Sequence, residues 1–475
     1  MDEITLNLNQ LDRSALFLGK LSGIARLLTS TSREFSNSAV PRDQLVRTNA
    51  KTNFYRGQTS NKFDPFNALP VGEEGHAHYL ISNIRYLFHP TTRRYSPIRP
   101  IIEESESLRA AIFDSALLHI ALAHISTSLS NLTGTKLGPE AFYHIAQGIA
   151  IVNKRLANFR RKTVTDNTIC AITILTHLEL RSGRPGSPAR VKAHLDGLEA
   201  LVDSTGGMIA LLARDPFTTK HAYWIDVQSA YKLGLQPRFG LNSPNLPYPD
   251  LEHSEPGNRI GARYQNRLFN LTGLQDISQE TIRVYYILRH LITDKEPTAG
   301  LQEMGITDAD FQTLQLYSFH LMYRLLALAQ YEVPEVSNHN ALIYCLFGHA
   351  GFRHIGMFTC NIKKFYAQPL PDQGPILTST RIKAILERID IPAFQIAYPE
   401  MMLWVIMIGG IASMGSESYT WFIELLAESC CVAGIAGTDE LAVFLAEFLW
   451  SDFYLGPVCN EFWVDVTKEI SKHVS

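Results

Sequence analysis

Histidine, cysteine and paired carboxylates are the side chains from which helical proteins build metal and catalytic sites, and this chain carries 16 histidines, 6 cysteines and 46 acidic residues. Their spacing argues against most such sites. Cys430 and Cys431 are adjacent, which denies them the two-residue gap that lets a pair chelate one tetrahedral ion, and the other cysteines lie far off at 170, 345, 360 and 459. His119 and His124 are five residues apart and so point to different sides of a helix, which reads as core histidines and not as a joint metal site. His177 with Glu179, and Glu104 with Glu106, are two residues apart and so do not share a helical face. There is no Gly-rich loop ending in Lys-Ser/Thr, no Gly-x-Gly-x-x-Gly, no nucleophile elbow, no His-Glu-x-x-His and no Asp-Asp-x-x-Asp run to hold magnesium. The sequence therefore predicts no catalytic, cofactor-binding or metal site, and the chain reads as a non-enzyme.

The apolar pattern says what kind of scaffold would position these residues. Ala171, Ile174, Leu175 and Leu178 recur at i, i+3, i+4 and i+7, with Glu179 and Arg181 off the stripe, which predicts an amphipathic helix. Ser182-Gly183-Arg184-Pro185-Gly186 interrupts it, because Gly frees φ and Pro removes a donor, and Ser187-Pro188 offers an N-cap with proline in the first turn. Val191, Leu195, Leu198 and Val202 then make a second stripe, with Lys192, Asp196, Glu199 and Asp203 on the wet side and Gly206-Gly207 as a left-handed stop. This is a helical hairpin that needs further helices to cover it. The same period predicts helices over 76–88, 104–130 (Phe113, Ala116, Leu117, Ile120 and His124 on one face), 139–159, 219–233, 259–272, 278–294, 307–331, 337–365 and 378–389. In the C-terminal block, Leu441, Phe444, Leu445, Phe448 and Leu449 give an unbroken stripe. No stretch alternates with period two, so the fold class is all-α: a large body of stacked amphipathic helices, in one or two sub-bodies.

Length and charge narrow the class further. At 475 residues, 46% hydrophobic and 19% charged, the chain exceeds the roughly 250 to 300 residues over which a single core grows. Residues 1–62 read as an N-terminal helix and a polar, basic, poorly ordered linker, and residues 63–475 as the helical body, with an internal break at 236–258 marked by prolines 237, 244, 247, 249 and 256. A net charge of -3 excludes non-specific nucleic-acid binding by the chain as a whole. That charge is uneven: residues 1–62 hold nine basic against five acidic side chains, and residues 391–475 hold two against eleven. The uncharged run Met401 to Ser416 is shorter than the roughly 20 residues a bilayer demands, which predicts a core helix and no membrane partner. Scattered cysteines without a signal peptide predict a reducing compartment, in which the Asn131 and Asn270 sequons carry no weight.

Four elements carry a resemblance. Phe63 to Val71, with Asp64, Pro65 and Phe66 at its turn, is followed by the His76 to Tyr86 helix. His194-Leu195-x-Gly197-Leu198 then runs into Gly206-Gly207. At the C-terminal end come Leu403-Trp404 with Gly409-Gly410-Ile411-Ala412, then Trp421-Phe422, then Phe448-Leu449-Trp450 and Phe462-Trp463 with Val466. In order and spacing, from about Phe63 to Val466, these resemble the regulatory (middle homology) region of fungal-specific transcription factors of the zinc binuclear cluster class. The resemblance implies a nuclear, helical, effector-responsive or partner-binding domain that regulates RNA polymerase II transcription, with the residues just named as structural positions of the motif.

One departure qualifies that expectation. The family's DNA-reading head is a cluster of six cysteines holding two zinc ions, whereas the first cysteine here is Cys170. The expectation is accordingly a regulator body with no zinc or other cofactor unless such a head exists, and with no specific DNA binding of its own. It would be either a truncated factor or a stand-alone body that acts through other transcription factors or co-regulators, as a homodimer, or in response to a small-molecule effector. The alternative is a helical small-molecule-binding protein or an enzyme whose site is dispersed along the chain.

Overall fold

A computed structural model of the chain describes residues 111–133, 135–157, 164–239, 321–330, 339–359, 374–446, 448–450 and 459–474, together with Ala77, Leu80, Ile81, Phe319 and Tyr454. Among these the regular structure is helical throughout and there is no strand, so the fold is all-α. The chain divides into two compact units, with crossovers at Ser229–Ala230, Leu235–Gln236 and Phe239–Gly240. The helices expected over 259–272 and 278–294, and the one at 76–88 apart from three of its residues, lie outside the described residues.

The first unit contains α1 (Ser115–Thr133), α2 (Pro139–Ala157), α3 (Asp166–Ser182), α4 (Ser187–Ser204), α5 (Gly207–Arg214) and α6 (Pro216–Leu233) as far as Ser229. The start of α1 differs from the sequence expectation. Asp114 accepts the Leu117 amide at 3.0 Å and so caps the helix. That leaves Phe113 outside the helix and 84% exposed, instead of on the core face with Ala116 and Leu117. Arg155 of α2 donates to Asp114 at 2.9 Å and to Thr168 of α3 at 3.2 Å, which ties three helix ends together. Farther along, His119 meets His144 and His124 meets His177, so α1 runs antiparallel to α2 and parallel to α3. Gly148 is what lets α1 and α2 approach, since a Cβ there would stand 2.5 Å from the Ile120 side chain.

The hairpin of α3 and α4 turns at Gly183 (φ 60°) and Gly186 (φ 76°). Glu179, expected on the wet side, is buried. Its carboxylate accepts from Arg190 Nε at 2.8 Å and from Arg184 Nη2 at 3.2 Å, which offsets the cost of burying the charge. Ser187 is the first residue of α4, not its cap, and its hydroxyl donates across the turn to the Glu179 carbonyl. At the far end Gly206 and Gly207 both hold positive φ, 102° and 81°, as the left-handed stop requires. The stop is also a corner, because α5 begins directly at Gly207. Beyond α6, the buried Asp226 carboxylate accepts the amides of Arg238 and Phe239, and the Arg238 guanidinium pairs with Asp196.

The second unit comprises Ala230–Leu235, the helical stretch 321–330, α7 (His339–Thr359), α8 (Gly374–Leu386), α9 (Ile391–Ala397), α10 (Pro399–Ser413), α11 (Tyr419–Val432), α12 (Thr438–Ala446) and α13 (Asn460–Val474). Every residue from Glu400 to Ser413 in α10 is buried, as an apolar helix without a polar face must be. Helices α7, α8, α9, α11 and α12 all pack on it. No described helix is long and apolar enough to cross a membrane. The stripe Leu441 to Leu449 is not one helix: α12 ends at Ala446, and the Phe448 amide closes a turn onto the Leu445 carbonyl at 2.9 Å. Phe448, Leu449 and Trp450 remain buried, delivered by the turn.

Candidate functional site

The C-terminal motif residues, scattered over some sixty positions, meet around α10. A Cβ at Gly409 would collide with the Phe422 ring of α11, and one at Gly410 would lie 2.6 Å from the Phe462 ring of α13. The glycine pair is thus the place where two aromatic rings reach the helix backbone. Trp404, fully buried, stands 5.9 Å from Phe347, 5.5 Å from His354 and 5.6 Å from Phe448 between ring centroids. Trp450 and Trp463 lie 6.0 Å apart, and Trp463 donates its indole N–H to the Tyr454 carbonyl. Trp421 departs from the pattern: it is half-buried, edge-on to Phe422, with the Lys383 ammonium 4.3 Å over its ring. Its neighbours are therefore a cation and solvent, not a closed aromatic core.

In the first unit, His194, Leu195, Gly197 and Leu198 form the buried face of α4. Burial lowers His194 to about 4, with the nearby Glu179 carboxylate working against the shift and Arg190 adding to it. The imidazole is neutral at physiological pH, and its Nδ1 is enclosed without a protein hydrogen-bond partner. Gly206 and Gly207 form the corner into α5. The Asp64, Pro65 and Phe66 turn lies outside the described residues.

The second unit also assembles a polar group that the sequence did not reveal. The Tyr231 hydroxyl donates to Thr378 Oγ1 at 3.0 Å and lies 3.1 Å from His349 Nδ1. Arg381 donates to the Tyr231 carbonyl at 2.8 Å and carries its guanidinium 4.8 Å over the Tyr231 ring, whose other neighbour is Phe352, stacked at 4.1 Å. Burial lowers His349 to about 3, helped by Arg381, and burial raises the Tyr231 phenol. A neutral imidazole donating from Nδ1 to a phenol oxygen, whose own proton goes to threonine, satisfies all three groups. The contributing residues come from α6, α7 and α8 with no fixed offset, so no sequence motif could have signalled them.

Four buried thiols are held as poor nucleophiles. Burial raises Cys170, Cys430 and Cys459 to about 12 and Cys345 to about 11, which keeps them protonated. Among the described residues no group of three or more His, Cys, Asp or Glu side chains is placed to hold a metal ion. Comparison of the chain with known protein families, curated proteins and solved structures finds no match.

Proposed function

We propose that this chain is the helical body of a nuclear transcription regulator, which acts through a DNA-binding partner or as part of a longer factor that carries the DNA-reading head. The observation that carries the reading is the convergence of the motif residues. Gly409 and Gly410 admit Phe422 and Phe462, while Trp404, Trp450 and Trp463 pack in the same unit. Elements chosen from sequence order alone thus have a common structural reason to occur together. In this reading the chain has no catalytic role and needs no cofactor. Its partners are other transcription factors or co-regulators, or a second copy of itself, with a small-molecule effector as the controlling input.

Fusing the chain to an unrelated DNA-binding domain and placing that domain's site upstream of a reporter tests the proposal. The expected outcome is a change in reporter transcription, with the unfused chain found in the nucleus. A folded fusion that leaves transcription unchanged, from a chain excluded from the nucleus, would overturn it. The Tyr231, His349, Thr378 and Arg381 group favours the second reading, a helical binding protein or enzyme. Turnover of a metabolite by the purified chain, abolished by Tyr231→Phe with the fold intact, would establish that reading instead.

A further inference from the structure

Ser187 stands where the chain turns from α3 into α4, in the run Arg184-Pro185-Gly186-Ser187-Pro188-Ala189-Arg190. It is followed by proline and has an arginine three positions to either side. Protein kinases that require proline after the acceptor serine exploit its missing N–H, and a basic residue three positions on gives them an ionic contact. The sequence holds three Ser-Pro pairs. Ser243-Pro244 has leucine at the third position after the serine, and Ser96-Pro97, with Arg99, lies outside the described residues. A Ser-Pro pair also opens helices for conformational reasons alone, and the two arginines set this one apart.

The local geometry suits an anion at this position. Ser187 is the first residue of α4, a helix of 18 residues, so negative charge on its side chain lies at the positive end of the helix. Arg184 and Arg190 both reach the turn and donate to the Glu179 carboxylate at the end of α3, at 3.2 and 2.8 Å, and Arg190 donates also to the Pro185 carbonyl at 3.2 Å. The Ser187 hydroxyl is buried, donates to the Glu179 carbonyl at 2.5 Å and lies 3.4 Å from Ser182 Oγ. Around it Gly183, Pro185, Gly186, Pro188 and Ala189 are exposed, and the two glycines hold the turn at positive φ.

We propose that Ser187 is a phosphorylation site whose modification opens the junction of α3 and α4. In the transfer, the Ser187 oxygen bonds to the γ-phosphorus of a nucleoside triphosphate as the bond from that phosphorus to the β–γ bridging oxygen breaks. The hydroxyl proton passes to the kinase's aspartate, and the nucleoside diphosphate leaves. The hydroxyl becomes accessible when the glycine-flanked turn opens, and the product cannot close the turn as before. Its ester oxygen has no proton to give the Glu179 carbonyl. The phosphoryl group also sets a charge of about -1.5 to -2 beside the Glu179 carboxylate, and with that larger charge it draws Arg184 and Arg190 to itself. A carboxylate that loses its arginines does not stay buried, so the last turn of α3 moves out to water.

Treating the full-length protein with ATP, magnesium and a proline-directed kinase, followed by peptide mapping by mass spectrometry, tests the site. A synthetic peptide of residues 180–194 is the positive control, and Ser187→Ala, which keeps Ser96 and Ser243, identifies the signal that belongs to Ser187. The expected result is phosphate on Ser187 of the full-length chain. Amides of residues 178–193 should then exchange roughly tenfold faster than in unmodified protein, with those of α2 unchanged. A peptide left untouched by the kinase, or a peptide that is modified while Ser187 of the full-length chain is not, would overturn the site. Phosphorylated protein whose 178–193 amides exchange as before, or in which α2 loses protection to the same degree, would overturn the local opening.

Discussion

Arg190→Met tests the buried ion pair that closes the hairpin of α3 and α4. The wild-type Glu179 side chain is 4% exposed and its partner Arg190 is 11% exposed, so both charges have left water. Removing the guanidinium leaves the carboxylate with Arg184, which is 34% exposed and 3.2 Å away, and with the Ser182 hydroxyl at 3.5 Å. Breaking one side of such a pair typically costs about 3 to 5 kcal/mol, and the residual Arg184 contact puts the expectation at the lower end, about 3 kcal/mol. The double variant Glu179→Met with Arg190→Met removes both charges and fills the space with apolar atoms. It should recover most of the loss, because the expense lies in the unpaired charge and not in the missing attraction. Tryptophan fluorescence is a poor probe here, since of the five tryptophans only Trp224 lies in the first unit. Amide exchange of α3 and α4 in graded urea reports the correct unit. The reasoning fails if Arg190→Met lies within about 1 kcal/mol of wild type, or if the double variant is no more stable than Arg190→Met alone.

Three further outcomes follow from the same structure. His194 and His221 are buried neutral bases whose values fall to about 4. Their folded values lie below that of the unfolded chain, so stability is full above about pH 6.5 and declines as pH falls toward 4, by about 2 kcal/mol per histidine at pH 5. Acid titration of the first unit's exchange protection should show this, and His194→Gln should reduce the slope by one proton. Gly348→Ala should cost on the order of 3 kcal/mol by thermal melt, because the new Cβ would stand 2.5 Å from the Ala329 amide nitrogen and 2.9 Å from the Leu325 carbonyl oxygen, backbone atoms that cannot rotate aside. Trp421→Ala should yield folded protein with a loss of about 1 to 2 kcal/mol, since the ring is half-buried beneath Lys383; a loss of 3 to 5 kcal/mol would instead mark it as a full core tryptophan.

Where a helix has one apolar face and a chemically marked end, the sequence revealed it. Pro139, the Gly183 to Gly186 break and the Gly206-Gly207 corner are all in place, because φ requirements and missing donors act locally. Glu179 could not be placed from its stripe, since the residue that buries it, Arg190, lies eleven positions on and across a turn. The stripe from Leu441 to Leu449 misled for a related reason. A buried turn and a buried helix both require apolar residues, and the period alone does not distinguish them. Phe113 shows the reverse case, a large apolar residue displaced from the core by its neighbour's cap. Of the candidate sites, the aromatic positions around Gly409 and Gly410 were legible as a set. The Tyr231 group was not, because tertiary contacts between distant helices leave no spacing to read.

The complete burial of α10 has a consequence for how the protein is made. A helix apolar on every side has no face that tolerates water, and the residues that cover its glycine pair, Phe422 and Phe462, lie downstream of it in the chain. At synthesis rates of about 5 to 20 residues per second, α10 waits some seconds on the ribosome before α13 follows. During that interval its surface is open to other nascent chains, so expression yield should depend on chaperone supply and growth temperature more than on the final stability of the fold. A chain that stops after α12 would never complete the cover, and its fate would be set by aggregation and not by the equilibrium between folded and unfolded forms.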